Sequence, residues 1–278
     1  MSSVFRIREG FSTYTETEKR LAEYILEHKE EVVNYSAQVL GEKVDTSAAA
    51  VVRFAKKLGF KGYTALKVEL ARDQSVDQVD FDDIIKTEDS VSVMVRKAQA
   101  MNIKTIEQTY KLINSDMLEE AIGKLIEAET IYLFGVGGSG IVCDDLVNKL
   151  IRINKRVVFN KDPHIQLAAA AHITDRDVAV GISYSGNTKE VNAAMAHAEH
   201  VGAYTVGVTQ MSKSKMSKIC DALLHVPTEE KELRLGAIQS RNSSLVITDL
   251  LYFGITKANI SHAKESLRNT RDIINELR

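Results

Sequence analysis

Apolar residues recur at helical spacing through the first third of the chain, then gather into short continuous runs in the second half. Thr15 to Lys29 carries Leu21, Tyr24, Ile25 and His28 on one helical face, and Thr15 with Glu18 three residues on forms a capping-box pattern. Ser36 to Lys43 reads as a second, short helix with Ala37, Val39 and Leu40 apolar. After Val44-Asp45-Thr46 the spacing predicts a third helix from Ser47 to Leu58. Ser47 suits its N-cap, Val51, Phe54, Ala55 and Leu58 face inward at i, i+3, i+4 and i+7, and Gly59 ends it. Ser90 to Ala128 reads as two further helices, with Val95, Ala98, Met101, Ile103 and Ile106 on the first and Leu118, Ala121, Ile122 and Leu125 on the second. Both are expected to pack on the sheet that follows.

From Thr130 the period changes. Thr130–Phe134, Arg156–Phe159, Asp177–Ile182, Tyr204–Val208 and Ala222–Val226 are apolar, largely β-branched runs and read as strands. Helical patterns at Ile141–Asn154 and Lys189–Val201 alternate with them, which predicts a parallel sheet with crossover helices. A late helix, Glu232–Lys257, and a charged amphipathic helix, Ser261–Arg278, close the pattern. Packing within the chain and contact with a second copy suit the last helix equally.

Composition bounds this picture. The chain has 278 residues, enough for one large domain or two ordinary ones. Hydrophobic residues make up 44%, charged residues 27%, and mean hydropathy is -0.14, which excludes a wholly disordered or fibrous protein. No apolar run reaches the about 18 residues of a membrane span, and the N-terminal stretch carries charges where a secretion signal needs an apolar core. A cytoplasmic protein without membrane contact is the expectation. Cys143 and Cys220 form no CxxC pattern and are expected as buried reduced thiols, with no metal site and no cofactor.

Charge and glycine locate boundaries. From Lys43 to Arg72, seven basic residues face Asp45 and Glu69, and from Asp73 to Val95 seven acidic residues face Lys86 alone. Ten of the fifteen glycines lie at or beyond Gly135. This predicts a domain at 1–75, an acidic linker at 76–89 and a second domain at 90–278.

The third helix presents Ser47, Ala48, Ala49, Arg53, Lys56 and Lys57 outward. A short helix, a three-residue turn and a helix of this kind suit the DNA major groove. Small residues let the backbone approach base edges, and Arg and Lys reach bases or phosphates. A generic helical bundle with a solvated basic face fits the same spacing. The second half carries two strand-to-helix turns. The first, Gly135-Val136-Gly137-Gly138-Ser139-Gly140, is an anion-binding pattern, with backbone N–H groups and a helix N-terminus aimed at a phosphate. It is also a literal G-x-G-x-x-G, and Asp162 lies where a dinucleotide-binding acid could sit. The second turn, Ser183-Tyr184-Ser185-Gly186-Asn187-Thr188, offers three hydroxyls around one glycine. Together they suit one phosphomonoester better than a pyrophosphate, although turn and capping roles alone explain one or two of the hydroxyls.

The stretch Ser36 to Lys67 resembles the N-terminal domain of RpiR-type transcriptional regulators, and the two turns with their strands, about Thr130 to Thr256, resemble a sugar isomerase (SIS) domain. The order of the two is the RpiR-type architecture. The resemblance implies an all-α helix-turn-helix domain followed by a flavodoxin-like, doubly wound SIS domain. It implies operator DNA as a partner and a sugar phosphate as effector, bound by Gly137, Gly138, Ser139, Ser183, Ser185, Gly186, Asn187 and Thr188. The family usually has glycine in the helix-turn-helix turn where this chain has Asp45, a residue that tolerates left-handed geometry. Related isomerases take a base from a late helix. Here that helix has no carboxylate at its middle before Asp249, while Glu229, Glu230 and Glu232 stand at or before its start and could reach a ligand, and Ser240, Arg241 and Asp249 match the regulators. His164 and His172 are expected as surface or packing residues. No catalytic residue is assigned, and a homodimer or homotetramer is expected. The alternative is a sugar-phosphate isomerase or lyase with a helical extension.

Overall fold

The computed structural model describes residues 14–74, 85–227 and 236–276, together with Ser3, Arg6, Ile7 and Phe11. It divides into two compact units, Met1–Gln78 and Val79–Arg278. Most of the expected linker at 76–89, and all of Glu229, Glu230 and Glu232, lie outside the described residues.

The first unit is helical. Helices α1 (Glu16–Glu27), α2 (Lys29–Val32), α3 (Ala37–Lys43), α4 (Ala48–Lys57) and α5 (Tyr63–Gln74) enclose Leu21, Ile25, Leu40, Val51, Phe54, Leu66 and Leu70. The caps are local. Glu18 N–H donates to Thr15 Oγ1 at 3.4 Å while Thr15 N–H donates to Glu18 Oε2 at 2.8 Å, so the capping box forms. Ser36 and Ser47 hydroxyls cap α3 and α4 by accepting from Val39 and Ala50 N–H, each at 3.2 Å. The first helix stops before His28, which turns the chain into α2 and stacks on Tyr24 with ring centres 4.4 Å apart. Of the apolar residues on α3, Leu40 is buried and Val39 is exposed.

Between α3 and α4 the backbone turns through Asp45 at φ 53°, in the left-handed region, and Thr46 N–H donates to Gly41 O at 2.8 Å. Gly41 makes this turn possible. A Cβ there would stand 2.7 Å from Thr46 O and 3.2 Å from Ala48 N, so the α4 start presses directly on the α3 backbone.

The second unit is a five-stranded parallel sheet with helices on both faces. Strands β1 (Ile131–Phe134), β2 (Val157–Val158), β3 (Val178–Ile182), β4 (Tyr204–Gln210) and β5 (Ala222–Val226) lie in the order β2-β1-β3-β4-β5. Alternate residues feed two cores, as a pleated strand requires. Ile131, Leu133, Val180 and Val208 join α7 (Ser115–Glu127), α8 (Gly138–Arg152) and α11 (Ile238–Ala258). Phe134 and Ala179 join α9 (Pro163–Ala170) and α10 (Lys189–His200) on the other side. Residues 157–158 are all that remains of the expected Arg156–Phe159 strand, because that edge pairs only with Ile131 and Tyr132.

The long helix α6 (Val91–Leu112) corrects one expectation. Val95, Ile103 and Ile106 are exposed, and Thr105 and Thr109 are buried instead. The polar side of α6 meets α11, where Asn242 Nδ2 donates to Asn102 Oδ1 at 2.8 Å. The last helix, α12 (Ile260–Asn275), buries Ala263 and exposes Ile273 and Ile274. Among the described residues no helix is long and apolar enough to cross a membrane.

Candidate functional site

In an open parallel sheet, ligands bind beyond the carboxyl ends of the strands where the strand order reverses. Here the reversal falls between β1 and β3, flanked by β2 on one side and β4 on the other. Phe134 pairs with Gly181, so the two glycine-bearing turns leave neighbouring strands at nearly the same level.

The first turn is bare backbone. Gly137 adopts φ 59°, ψ -125° and caps α8 without a side chain. The first helical hydrogen bond of this kind is Ile141 N–H to Gly137 O at 3.2 Å, which leaves the N–H groups of the opening residues to face outward. Ser139 is the second residue of α8 and half-buried. Gly138 lies against the head of α11, where a Cβ would stand 3.3 Å from the Ala237 Cβ.

The second turn is built of hydroxyls and is braced from behind. Ser183 is 2% exposed, and its Oγ lies 2.8 Å from Thr188 Oγ1. Thr188 occupies the N-cap of α10 yet does not cap it with its side chain. Its hydroxyl is turned to Ser183 instead. Ser185 Oγ accepts from Asn187 N–H at 3.2 Å, and Asn187 Oδ1 accepts from Lys215 N–H at 3.1 Å. Gly186 has φ 64°, and a Cβ there would meet Ser214 Oγ at 2.3 Å, so both conformation and space demand glycine. Ser183, Ser185, Gly186, Asn187 and Thr188 thus form one turn, and Gly137, Gly138 and Ser139 the turn beside it. The loop that braces them, Met211–Lys218, and the buried Gln166 behind Gly135 escaped the sequence reading. A single polar residue between Ile165 and Leu167 was the available signal for Gln166.

Other candidates are placed elsewhere. Asp162 Oδ1 accepts from His164 N–H at 2.7 Å, so the carboxylate weighed as a ribose ligand caps α9. Asp249 is the sole carboxylate on α11 and is ion-paired with Lys149, which also holds Asp145. Partial burial pulls the Lys149 pKa down, but the hydrogen bonds and charges of the two carboxylates overcome this and raise it. His164 and His172 are exposed. Cys143 is fully buried behind the first turn, where desolvation pushes its thiol pKa up, and Cys220 is half-buried.

In the first unit, Ser47, Ala48, Ala49, Arg53, Lys56 and Lys57 are all exposed on or beside α4. Lys57 differs from the rest. Its Nζ pairs with Glu18 at 2.7 Å and lies 5.3 Å from the Tyr14 ring centre, so it ties α4 back to α1.

The two units match two known domains in the same order. Residues 1–77 match the helix-turn-helix domain of the rpiR family, and residues 124–253 match the SIS domain. An uncharacterized HTH-type transcriptional regulator of Caldanaerobacter subterraneus subsp. tengcongensis is 34% identical over 268 residues, covering 96% of this chain and 95% of its own. The chain belongs to the RpiR family of HTH-type transcriptional regulators. The NanR protein of Vibrio vulnificus, solved in complex with ManNAc-6P, is similar at 27% identity, with a TM-score of 0.64 and 99% of each chain covered. The sugar isomerase domain of an RpiR transcription factor from Sphaerobacter thermophilus shares the fold at 21% identity and a TM-score of 0.58, covering 64% of this chain and 98% of that one.

Proposed function

We propose that this regulator controls carbohydrate metabolism by binding a sugar phosphate across the two turns of its SIS domain. The observation that carries the reading is the Ser183–Thr188 hydroxyl pair, 2.8 Å apart, at the strand-order reversal beside the uncapped start of α8. Thr188, Ser185 and Ser139 donate to the phosphate, Ser183 holds Thr188, and Gly137, Gly138, Gly186 and Asn187 shape and supply the backbone donors. ManNAc-6P in the similar NanR protein supports this class of ligand. The ligand shifts the balance between DNA-binding and non-binding conformations, which requires it to favour one of them.

Ala48, Ala49, Arg53 and Lys56 read operator DNA from the exposed face of α4, with Ser47 at its N-terminus beside the phosphate backbone. The reading is non-catalytic, since the one α11 carboxylate is held by Lys149. The regulator works in the cytoplasm as a homodimer or homotetramer. Val95, Ile103, Ile106 and Tyr110 form an exposed apolar stripe on α6 that a second copy would cover.

Thermal-shift screening with phosphorylated sugars, ManNAc-6P among them, tests the site. A ligand at 100 times its Kd should stabilise the native chain by about 2.7 kcal/mol. Mobility-shift assays on operator DNA should then respond to the same compound. Turnover of a sugar phosphate by the wild-type chain would instead establish the isomerase or lyase reading.

A further inference from the structure

Gln166 is 4% exposed, and its side chain makes three hydrogen bonds inside the second unit. Its Oε1 accepts from Gly135 N–H at 3.1 Å, and its Nε2 donates to Gly135 O at 2.9 Å and to Asn160 O at 2.7 Å. The sheet explains why a side chain is needed there. Edge strand β2 pairs with β1 only opposite Ile131 and Tyr132, so β1 loses its backbone neighbour on that side before the glycine turn begins. The carboxamide replaces that neighbour. It offers Gly135 one acceptor and one donor, the pair an adjacent strand would offer. The same group ties Gly135 to the loop between β2 and α9. Asp162 caps α9 independently, so Gln166 is not spent on its own helix.

We propose that Gln166 is a positioning residue for the phosphate cradle, holding the first glycine turn so that its N–H groups aim at the ligand. The proposal rests on the sugar-phosphate reading of the two turns. Gln166 touches no ligand and acts through Gly135. Only a side chain with both a donor and an acceptor at its end serves. Glu keeps the shape and loses the donor until it is protonated, and Met keeps the length and loses both.

Calorimetric titration of the full-length chain with ManNAc-6P, and with inorganic phosphate as a second probe, tests this between about pH 5.5 and 8. At pH 8 the carboxylate in Gln166→Glu faces two carbonyl oxygens without a proton, and affinity should fall about 30-fold or more against wild type. Protonation restores one O–H donor and leaves an acceptor for Gly135 N–H, and burial lifts the carboxyl pKa toward this range. The ratio of variant to wild-type Kd should then shrink to about threefold near pH 5.5. Taking the ratio cancels the titration of the phosphate, which both proteins share. Gln166→Met should lose about tenfold at every pH. In protein labelled at glycine, and without ligand, the Gly135 amide resonance of Gln166→Glu should move with pH while the wild-type resonance stays.

A Gln166→Glu loss that is absent, or that does not change with pH, overturns the positioning role. Should that variant fail to fold, Gln166→Met decides: wild-type phosphate affinity in folded Gln166→Met overturns the role as well. If the wild-type chain binds neither probe, the sugar-phosphate reading itself falls and takes the role with it. Retained binding in wild type with a pH-dependent defect in the variant supports both.

Discussion

The two units carry their working groups on different kinds of structure. In the first, the proposed reading surface is the outer face of a regular helix. Ala48, Ala49, Arg53 and Lys56 are exposed while Val51, Phe54 and Ala55 anchor the opposite face in the core. In the second, the candidate site is two turns whose atoms also hold the fold. Gly186 O accepts from Met216 N–H at 3.0 Å and from Asn192 Nδ2 at 3.1 Å, and Thr188 satisfies the buried Ser183 hydroxyl. Substitutions should therefore separate function from stability in the first unit and mix them in the second.

The largest effect is expected from the pair Ser185→Ala with Thr188→Ala. Losing two hydrogen bonds to a charged group should weaken sugar-phosphate binding by about 3–6 kcal/mol. Operator binding without ligand should persist, and mobility shifts with and without sugar phosphate would show a regulator locked in its ligand-free state. The same variant should also unfold at lower temperature, because Ser183 is left unpaired. A variant that loses ligand with no loss of stability breaks the contrast.

Next comes Gly186→Ala. Its Cβ would have to displace Ser214 and adopt a left-handed backbone, so a loss of about 3 kcal/mol is expected in denaturant unfolding. Gly202→Ala sharpens the point. It shares the positive φ at a helix end, and its Cβ would meet only Asp175 Cβ at 3.6 Å, an ordinary contact, so about 1 kcal/mol is expected. Equal losses at the two glycines would show that crowding by Ser214 is not the cause.

Arg53→Ala should weaken operator binding by about 1–3 kcal/mol and leave the unfolding midpoint where it was. Normal operator affinity in a folded variant removes Arg53 from the reading face. The smallest effect is expected at Ser47→Ala, about 1 kcal/mol of stability from the lost α4 cap, measured by thermal unfolding. Ser47 is the one position in the first unit where the two roles meet, so a small change in operator affinity should accompany it.

The same contrast explains what could be read from sequence. The first unit follows local rules. Ser36, read as the first residue of its helix, caps it instead, while the caps at Thr15 and Ser47 were predictable from neighbours a few residues away. Gly41 was not, because the atom that excludes a side chain there is Thr46 O, which closes over it only when the turn has formed. In the second unit the buried strands announced themselves as apolar runs, and both turns were visible as glycine and hydroxyl motifs. Their supports were not. Gln166 meets Gly135 across 31 positions of sequence, and Ser214 meets Gly186 across a whole crossover. Helix α6 misled for a related reason. Apolar spacing marks a face that water avoids, not the partner that covers it, and here Thr105 and Thr109 took the inner side.

Helix α11 buries hydroxyls where a core helix usually buries branched apolar chains. Ser243, Ser244 and Thr248 are 2%, 4% and 0% exposed. Ser243 and Ser244 donate to the carbonyl oxygens of Gln239 and Ser240 one turn back, at 2.9 and 2.8 Å, and Thr248 donates to Leu245 O at 3.1 Å. Among the described residues these three hydroxyls donate to their own helix and not to the helices alongside. What fixes α11 lengthwise lies on either side of them: Asn242 donates to Asn102, Asp249 pairs with Lys149, and Ile247 and Leu251 sit in the core. The helix is therefore keyed in place by a few named contacts, and Ala237 at its head stands beside Gly138 of the first turn.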